Sequence, residues 1–573
     1  MSCQQLTLNG KRALLATRHR ALPPCPMPRR RLTLRSADGA VVARVGVPLP
    51  RVLSFLSAPT LTAVRELKLN ACDLTAAAFA AILGAIGPAC TDLDVACNSL
   101  VLGPPETARL LVRPALAGWG DGSRVRLKRL RLAKCGISDV ELEAVGHGLW
   151  AASESLELEG NDIAELFEGF DSGTERGSMI MHRLDVSGNC LTTTGADRLA
   201  QVAGGVTSLT VGGRVGTSYM PDAVLCRLMG IGSTPLKSLS VRSAVVELTA
   251  ATAIAGRLAP GAALTLFECA LSAHGMLEIA PIIQAKRLSK LQLATTGPAG
   301  ATTTLARAAE AGGALAKLDV RRRCVAWDEM ARPDETSVMT SLGLSRSDPL
   351  SADDLASLFH RVQAAPHLRV LRLRDCGIGA AASLRPLLDA MDARFAQTVL
   401  DLDLGGNEIG SAGSKLLACW LRSSTAARRL RRLVLGACGL DDGDCAEVVR
   451  SLLADSGPDG AAYALRDLDV GGGNECGPQT VESLALLIAE APLRQAALAM
   501  NSVRMSPRAP AGQLAERANQ ALLGAVRSTS SLQRLAGAPI GVRPHVAEAL
   551  ARSASLARTA HRFVLWALAS KAR

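Results

Sequence analysis

The sequence predicts an α/β fold built as an arc, with parallel strands on the concave face and helices on the convex face. Three observations carry that prediction. The first is a phrase that recurs down the chain: leucine, any residue, leucine, two further residues, then asparagine or cysteine, then an aliphatic residue two positions on. It reads Leu67-Lys68-Leu69 with Cys72 and Leu74, Leu93-Asp94-Val95 with Asn98 and Leu100, Leu130-Arg131-Leu132 with Cys135 and Ile137, and Leu156-Glu157-Leu158 with Asn161 and Ile163. It returns at Leu184 with Asn189, Leu264 with Cys269, Leu371 with Cys376, Leu402 with Asn407 and Leu433 with Cys438. The second is spacing: most phrases fall about 25 to 35 residues apart, room for a strand, a turn and a real helix in each unit. The third is helical periodicity after the strong strands, as in Leu484, Leu487 and Ile488, whose side chains would close the core.

Residues 1–60 read as a basic, proline-broken leader followed by an N-terminal cap. Pro23, Pro24, Pro26, Pro28, Pro48 and Pro50 break it up, and the short apolar runs Leu32-Thr33-Leu34 and Val41-Val42 suit a cap on the first repeat. A mitochondrial presequence is the alternative, since the leader is arginine-rich and acid-poor, although the prolines oppose the amphipathic helix such a signal needs. The run from Leu49 to Leu56 suits an ordinary capping helix better than a short F-box-like one.

Residues 61–503 hold the solenoid, with about fifteen strand phrases when the weaker ones at Leu209, Leu239, Leu291, Leu318, Leu468 and Leu498 are included. Helices are predicted over 76–86, 139–149, 194–202, 275–284, 381–390, 413–421, 445–453 and 480–489. Three insertions interrupt the repeats, at 101–127, 167–180 and 321–366. Long irregular insertions in a compact array are functional or disordered, and the loop carrying Trp327 is the best binding candidate among them. Residues 504–573 close the array as a helical cap with a basic tail. The stretch from His561 to Leu568 would cover the open core of the last repeat, with a basic docking helix as the alternative.

The asparagine-or-cysteine slot has a chemical reason. Just past each strand the backbone turns inward and leaves amides and carbonyls that need partners away from water. Asparagine supplies both a donor and an acceptor there, and cysteine fits the same small space with a weak donor. The ladder runs Cys72, Asn98, Cys135, Asn161, Asn189 and Cys269, then Cys376, Asn407, Cys438 and Asn474, the last displaced one residue by the extra glycine of Gly471-Gly472-Gly473.

This alternation, together with the long helical units, resembles the ribonuclease-inhibitor-like subclass of leucine-rich repeat proteins over about three quarters of the chain. The resemblance implies a horseshoe solenoid whose concave strands and adjoining loops grip other proteins. Phrases near Leu209, Leu239, Leu291 and Leu318 lack the slot, so the middle of the arc is expected to be less regular.

Residues flanking and between the strand leucines project onto the concave face. They give Asp92 and Asp94, then Arg129 and Arg131, Glu157 and Glu159, and Arg183 beside Asp185. Later come Arg372 and Arg374, Asp401 and Asp403, Arg432, and Asp467 and Asp469. The sign alternates from strand to strand, and rows about 4.8 Å apart can neutralise one another or form a ledge for a partner of mixed charge. The expected contact residues are Arg129, Arg131, Glu157, Glu159, Arg372, Arg374, Asp401, Asp403, Asp467, Asp469 and Trp327.

Composition sets the function class. The chain has 573 residues, 48% of them apolar, enough for a continuous core, while aromatics at 3% leave few rings on which bases could stack. The net charge of +12 is concentrated at the ends. Lys11, Arg12, Arg18, Arg20, Arg29, Arg30, Arg31 and Arg35 precede the first acid, Asp38, and no acid follows Glu548. A uniformly basic stripe on the arc, which nucleic-acid binding would favour, is missing, so RNA phosphates could be engaged only through the termini. The histidines show no metal-ligand spacing, and the sequence holds no Cys-x-x-Cys pair, phosphate loop or nucleophile elbow, so neither catalysis, metal nor cofactor is expected. Fifteen cysteines, several in the repeat slot, fit buried thiols of a reduced compartment.

The expectation is therefore a non-catalytic scaffold or adaptor, a subunit of a larger intracellular assembly in the cytoplasm or cytoskeleton. The alternatives are an organellar or ribonucleoprotein subunit acting through basic ends, or a substrate adaptor or GTPase regulator.

Overall fold

Each leucine phrase becomes a short parallel strand, because its two apolar positions bury on one side while the residues around them stay toward solvent. The computed structural model describes most of residues 64–490, without 99–109, 115–126, 144–152, 166–180, 322–329, 331–336, 454–463 and some shorter stretches. Outside that range it describes four strands and a few residues between 517 and 525.

The chain divides into two units, Met1–Leu288 with Thr295–Ala301, and Ser289–Ala294 with Thr302–Arg573. The first unit opens with β1 (Arg31–Ser36), which pairs antiparallel with β2 (Val41–Ala43) on one side and β3 (Val64–Asn70) on the other. From β3 every pairing is parallel, through β4 (Asp92–Asp94), β5 (Arg129–Arg131), β6 (Ser155–Glu157), β7 (Arg183–Asp185), β8 (Ser208–Gly212) and β9 (Leu236–Arg242). Two-residue strands β10 (Val245–Val246) and β12 (Ala270–Leu271) form a second parallel ladder beyond the bend, and β11 (Leu258–Phe267) continues the main sheet beside β9. The register is uniform: Leu67, Leu93, Leu130, Leu156, Leu184, Leu209 and Leu239 lie opposite one another in turn. Most of these leucines are wholly buried, each contributing about 2 kcal/mol from burial.

The second unit repeats the plan. Its strands β13 (Lys290–Ala294), β14 (Lys317–Arg321), β15 (Ser341–Ser345), β16 (Val370–Arg374) and β17 (Asp401–Asp403) pair in parallel order. They are followed by β18 (Arg432–Val434), β19 (Asp467–Asp469), β20 (Gln495–Ala497) and β21 (Arg534–Ala536).

Helices pack behind the strands, each started by a local signal. Thr75 caps Ala76–Ala85 by accepting from the Ala78 amide, and Phe79, Ile82 and Leu83 of that helix are buried at helical spacing. Ser272 caps Ala273–Lys286, and Asp441 caps Asp442–Ser451, each by accepting the amide three residues on. Some carboxylates cap the neighbouring coil. Asp442 accepts from the amides of Gly477 (2.7 Å) and Thr480 (2.8 Å) and so fixes the start of helix Pro478–Glu490. Close approach explains one helical glycine: a Cβ on Gly195 would lie 2.2 Å from the Ala164 carbonyl oxygen.

Several sequence expectations change. The stretch 321–366 is not one insertion, since it contains β15 and the whole of the helix Ala352–Ala364. Leu342 and Leu344 are buried like any repeat leucines, but no Asn/Cys slot follows them to mark the phrase. The strand expected at Leu498 is centred earlier, on Ala496 of β20, with alanine in the leucine position. Helices Asp222–Gly230, Leu248–Arg257 and Ala299–Ala311 add to the expected set; they follow the weaker phrases at Leu209, Leu239 and Leu291, which lack the slot that marks where a strand ends. Leu32 to Leu34 and Val41-Val42 lie in β1 and β2 at the edge of the first repeat. The remainder of 1–60 and the C-terminal stretch from His561 to Leu568 lie outside the described residues.

Candidate functional site

The bends that end each strand fix the strand face. The asparagines there join adjacent coils by a repeated four-bond pattern. Asn98 Oδ1 accepts from the Cys72 and Leu74 amides (2.7 and 3.2 Å), while Nδ2 donates to the Leu69 and Val95 carbonyls (2.8 and 2.6 Å). Asn161 makes the same four bonds to Cys135, Ile137, Leu132 and Leu158. Asn407 serves Cys376, Ile378, Leu373 and Leu404, and Asn474 serves Cys438, Leu440, Leu435 and Val470. Asn189 accepts from Ile163 and donates to Leu158 and Val186.

The cysteines complete the set by donating. Cys135 Sγ donates to the Val95 carbonyl (3.4 Å), Cys438 to Leu404 (3.3 Å) and Cys269 to Val241 (3.5 Å), each reaching the preceding coil. Cys72 and Cys376 bond carbonyls of their own strands. Burial pushes the Cys135, Cys269 and Cys438 thiols up to about 12, so they stay protonated donors rather than thiolates. The residue just before the slot takes left-handed backbone, as at Ala71, Cys97, Lys134, Asp375 and Ala437, which turns the chain inward on schedule.

On this frame the strand rows carry the charges. In the first unit Arg129 meets Asp92 (3.0 Å), and Arg131 lies between Asp94 (3.6 Å) and Glu157 (3.0 Å). Glu159 faces Arg242 at 3.7 Å, a partner that sits three strands along and so is not evident from neighbouring phrases. In the second unit Arg374 reaches Asp403 at 3.7 Å and covers Gly405. Arg372 is exposed and makes no side-chain hydrogen bond or ion pair among the described residues. Asp401 and Asp467 lie in register on either side of Arg432.

Several acids also work locally. Asp94, Asp185, Asp403 and Asp469 each accept from the amide two residues on, at 3.0 to 3.1 Å, an Asx-type turn that steadies the strand end. Burial raises the Asp185 carboxyl, opposed by its bonds from Ser187. For Asp403 and Asp469 the contact role read from the sequence therefore shares the side chain with backbone support.

The structure thus gathers Arg129, Arg131, Glu157 and Glu159 on neighbouring strands of the first unit. It gathers Arg372, Arg374, Asp401, Asp403, Asp467 and Asp469 on β16 to β19 of the second. Trp327 lies outside the described residues, as do most of 101–127 and all of 167–180. No group of histidines, cysteines and acids among the described residues is placed to hold a metal ion, and none of the helices in that set is long and apolar enough to cross a membrane.

Comparison with known proteins gives matches to a family described as Leucine Rich repeat, over residues 178–200, 364–381 and 396–418. These cover β7 and the helix after it, β16, and β17 with the start of its helix. No curated protein matches the chain. A chain of the crystal structure of the Rad7 and Elc1 complex in yeast is similar at 13% identity, over 56% of this chain and 87% of that one, with a TM-score of 0.33.

Proposed function

We propose that this leucine-rich repeat protein is a non-catalytic scaffold, a subunit of a larger assembly that binds protein through the strand face and the loops around it. Its repeats belong, on this reading, to the ribonuclease-inhibitor-like kind, supported by the alternating asparagine and cysteine slots and by helices such as Gly410–Ser423 in single repeats.

The observation that carries the proposal is the strand face of β16. Arg372 is exposed without a partner among the described residues, and Arg374 remains half exposed even beside Asp403. An exposed guanidinium on a rigid strand retains its donors for a carboxylate of another chain, and forming that contact orders the side chain but not the backbone. Sheet pairing holds the backbone of both without help from their side chains, Arg372 between β15 and β17 and Arg374 against β15.

The test is affinity purification from native cells of the wild type and of the double variant Arg372→Glu/Arg374→Glu. The variant is expected to fold, with unchanged circular dichroism, and to lose the co-purifying proteins. Equal recovery with both baits would remove the strand face of β16 from the account.

A further inference from the structure

A second set of arginines lies at the leading edge of the same strands, before the first leucine of each phrase. Arg431 donates its amide to the Leu400 carbonyl (2.7 Å), Arg466 donates to Arg431 (2.8 Å), and Leu400 donates to Arg369 (2.8 Å). These bonds place Arg369, Leu400, Arg431 and Arg466 in one row across β16 to β19, about 4.8 Å from strand to strand. The Ala464 amide donates to the Arg428 carbonyl (3.0 Å), which brings the short helix Thr425–Arg429 to the same edge. That helix ends in Arg428 and Arg429, and the chain continues Leu430-Arg431-Arg432.

Six arginines, two of them 35 residues apart in sequence, thus share one edge: Arg369, Arg428, Arg429, Arg431, Arg432 and Arg466. Arg369, Arg431, Arg432 and Arg466 are exposed and make no side-chain hydrogen bond or ion pair among the described residues. Asp401 and Asp467 flank Arg432 but close no ion pair with it, so among the described residues the edge keeps a net positive charge. Like charges held this close repel, and an oppositely charged ligand relieves that repulsion.

We infer that this edge docks an acidic peptide segment, rich in glutamate or aspartate, of a partner protein. The inference rests on the reading of the chain as a scaffold and adds a site distinct from Arg372 and Arg374. Guanidinium groups pair bidentately with carboxylates, and an extended peptide presents alternate side chains to one side. Nucleic acid fits less well, because the described residues of β16 to β19 and their leads hold no phenylalanine, tyrosine or tryptophan on which a base could stack.

Fluorescence anisotropy of a labelled glutamate-rich peptide, titrated with the full-length protein at moderate salt, tests the site. Arg431→Glu/Arg466→Glu is expected to weaken binding by about tenfold or more. Arg29→Glu/Arg30→Glu changes the net charge equally, and Arg372→Glu/Arg374→Glu tests the strand face; both are expected to stay within about twofold of the wild type. A thermal melt of each variant separates lost binding from lost fold. The inference is overturned if the peptide does not bind, if the Arg431/Arg466 variant binds as the wild type does, or if a single-stranded RNA of equal charge displaces the peptide more readily than the peptide displaces itself. A normal partner yield with Arg372→Glu/Arg374→Glu would count against the strand face alone, because the peptide titration reads the edge independently.

Discussion

The strand faces of the two units handle charge differently. On β4 to β6 of the first unit Arg129 and Arg131 are met by Asp92, Asp94 and Glu157, so the charges are used within the sheet. Among the described residues of β16 to β19 in the second unit only Arg374 closes such a pair, while Arg369, Arg372, Arg431, Arg432 and Arg466 remain exposed. The backbone plan is the same in both, with leucines in register and asparagines bonding the preceding coil. The lesson is that the repeat specifies the frame and leaves the outward positions free to be spent on the sheet or on a partner.

The largest effect should fall on what the units share. Asn161→Ala and Asn407→Ala each leave two amides and two carbonyls buried without partners, at a cost of about 3 kcal/mol in denaturant titrations. A cost confined to one of the two variants would break the claim of a common frame. A smaller effect should separate the units. Arg131→Ala removes partners from two acids and should cost about 0.5–1 kcal/mol at low salt, shrinking as salt rises, whereas Arg372→Ala should cost almost nothing. Equal losses from the two arginines would erase the contrast.

The smallest effect is a pH dependence in the first unit. Burial raises the Asp185 carboxyl above its unfolded value of about 3.9. Between those two values the folded state holds the extra proton, so this contribution is fully present below the unfolded value and is lost as pH rises through the folded one. Asp185→Asn keeps the acceptor for Ser187 and should flatten that decline, read as the difference between the two stability-against-pH curves. Parallel curves would show that the carboxyl titrates alike in both states.

Much of the frame was legible in the sequence because one physical demand, buried backbone beyond each strand, selects one residue type at a fixed place. Asn98, Asn161 and Asn407 could be read in this way. β15 could not: Ser341-Leu-Gly-Leu-Ser345 has the leucines without the slot, and its place as a strand is set by pairing with β14 and β16. The alternating charged rows followed from strand periodicity, but their partners did not, since Glu159 and Arg242 meet only once the sheet is assembled. The edge arginines escaped for the same reason: Arg431 and Arg466 become neighbours through a backbone bond between strands.

Each slot asparagine accepts amides from the coil before it and none from the coil after it. The support these asparagines give therefore runs in one direction, and each coil followed by an asparagine slot borrows its finish from its C-terminal neighbour. Loss of a distal coil would bare amides one step upstream, so unravelling should travel from the C-terminal end toward the N-terminal one, with exchange at Cys438 preceding exchange at Cys376.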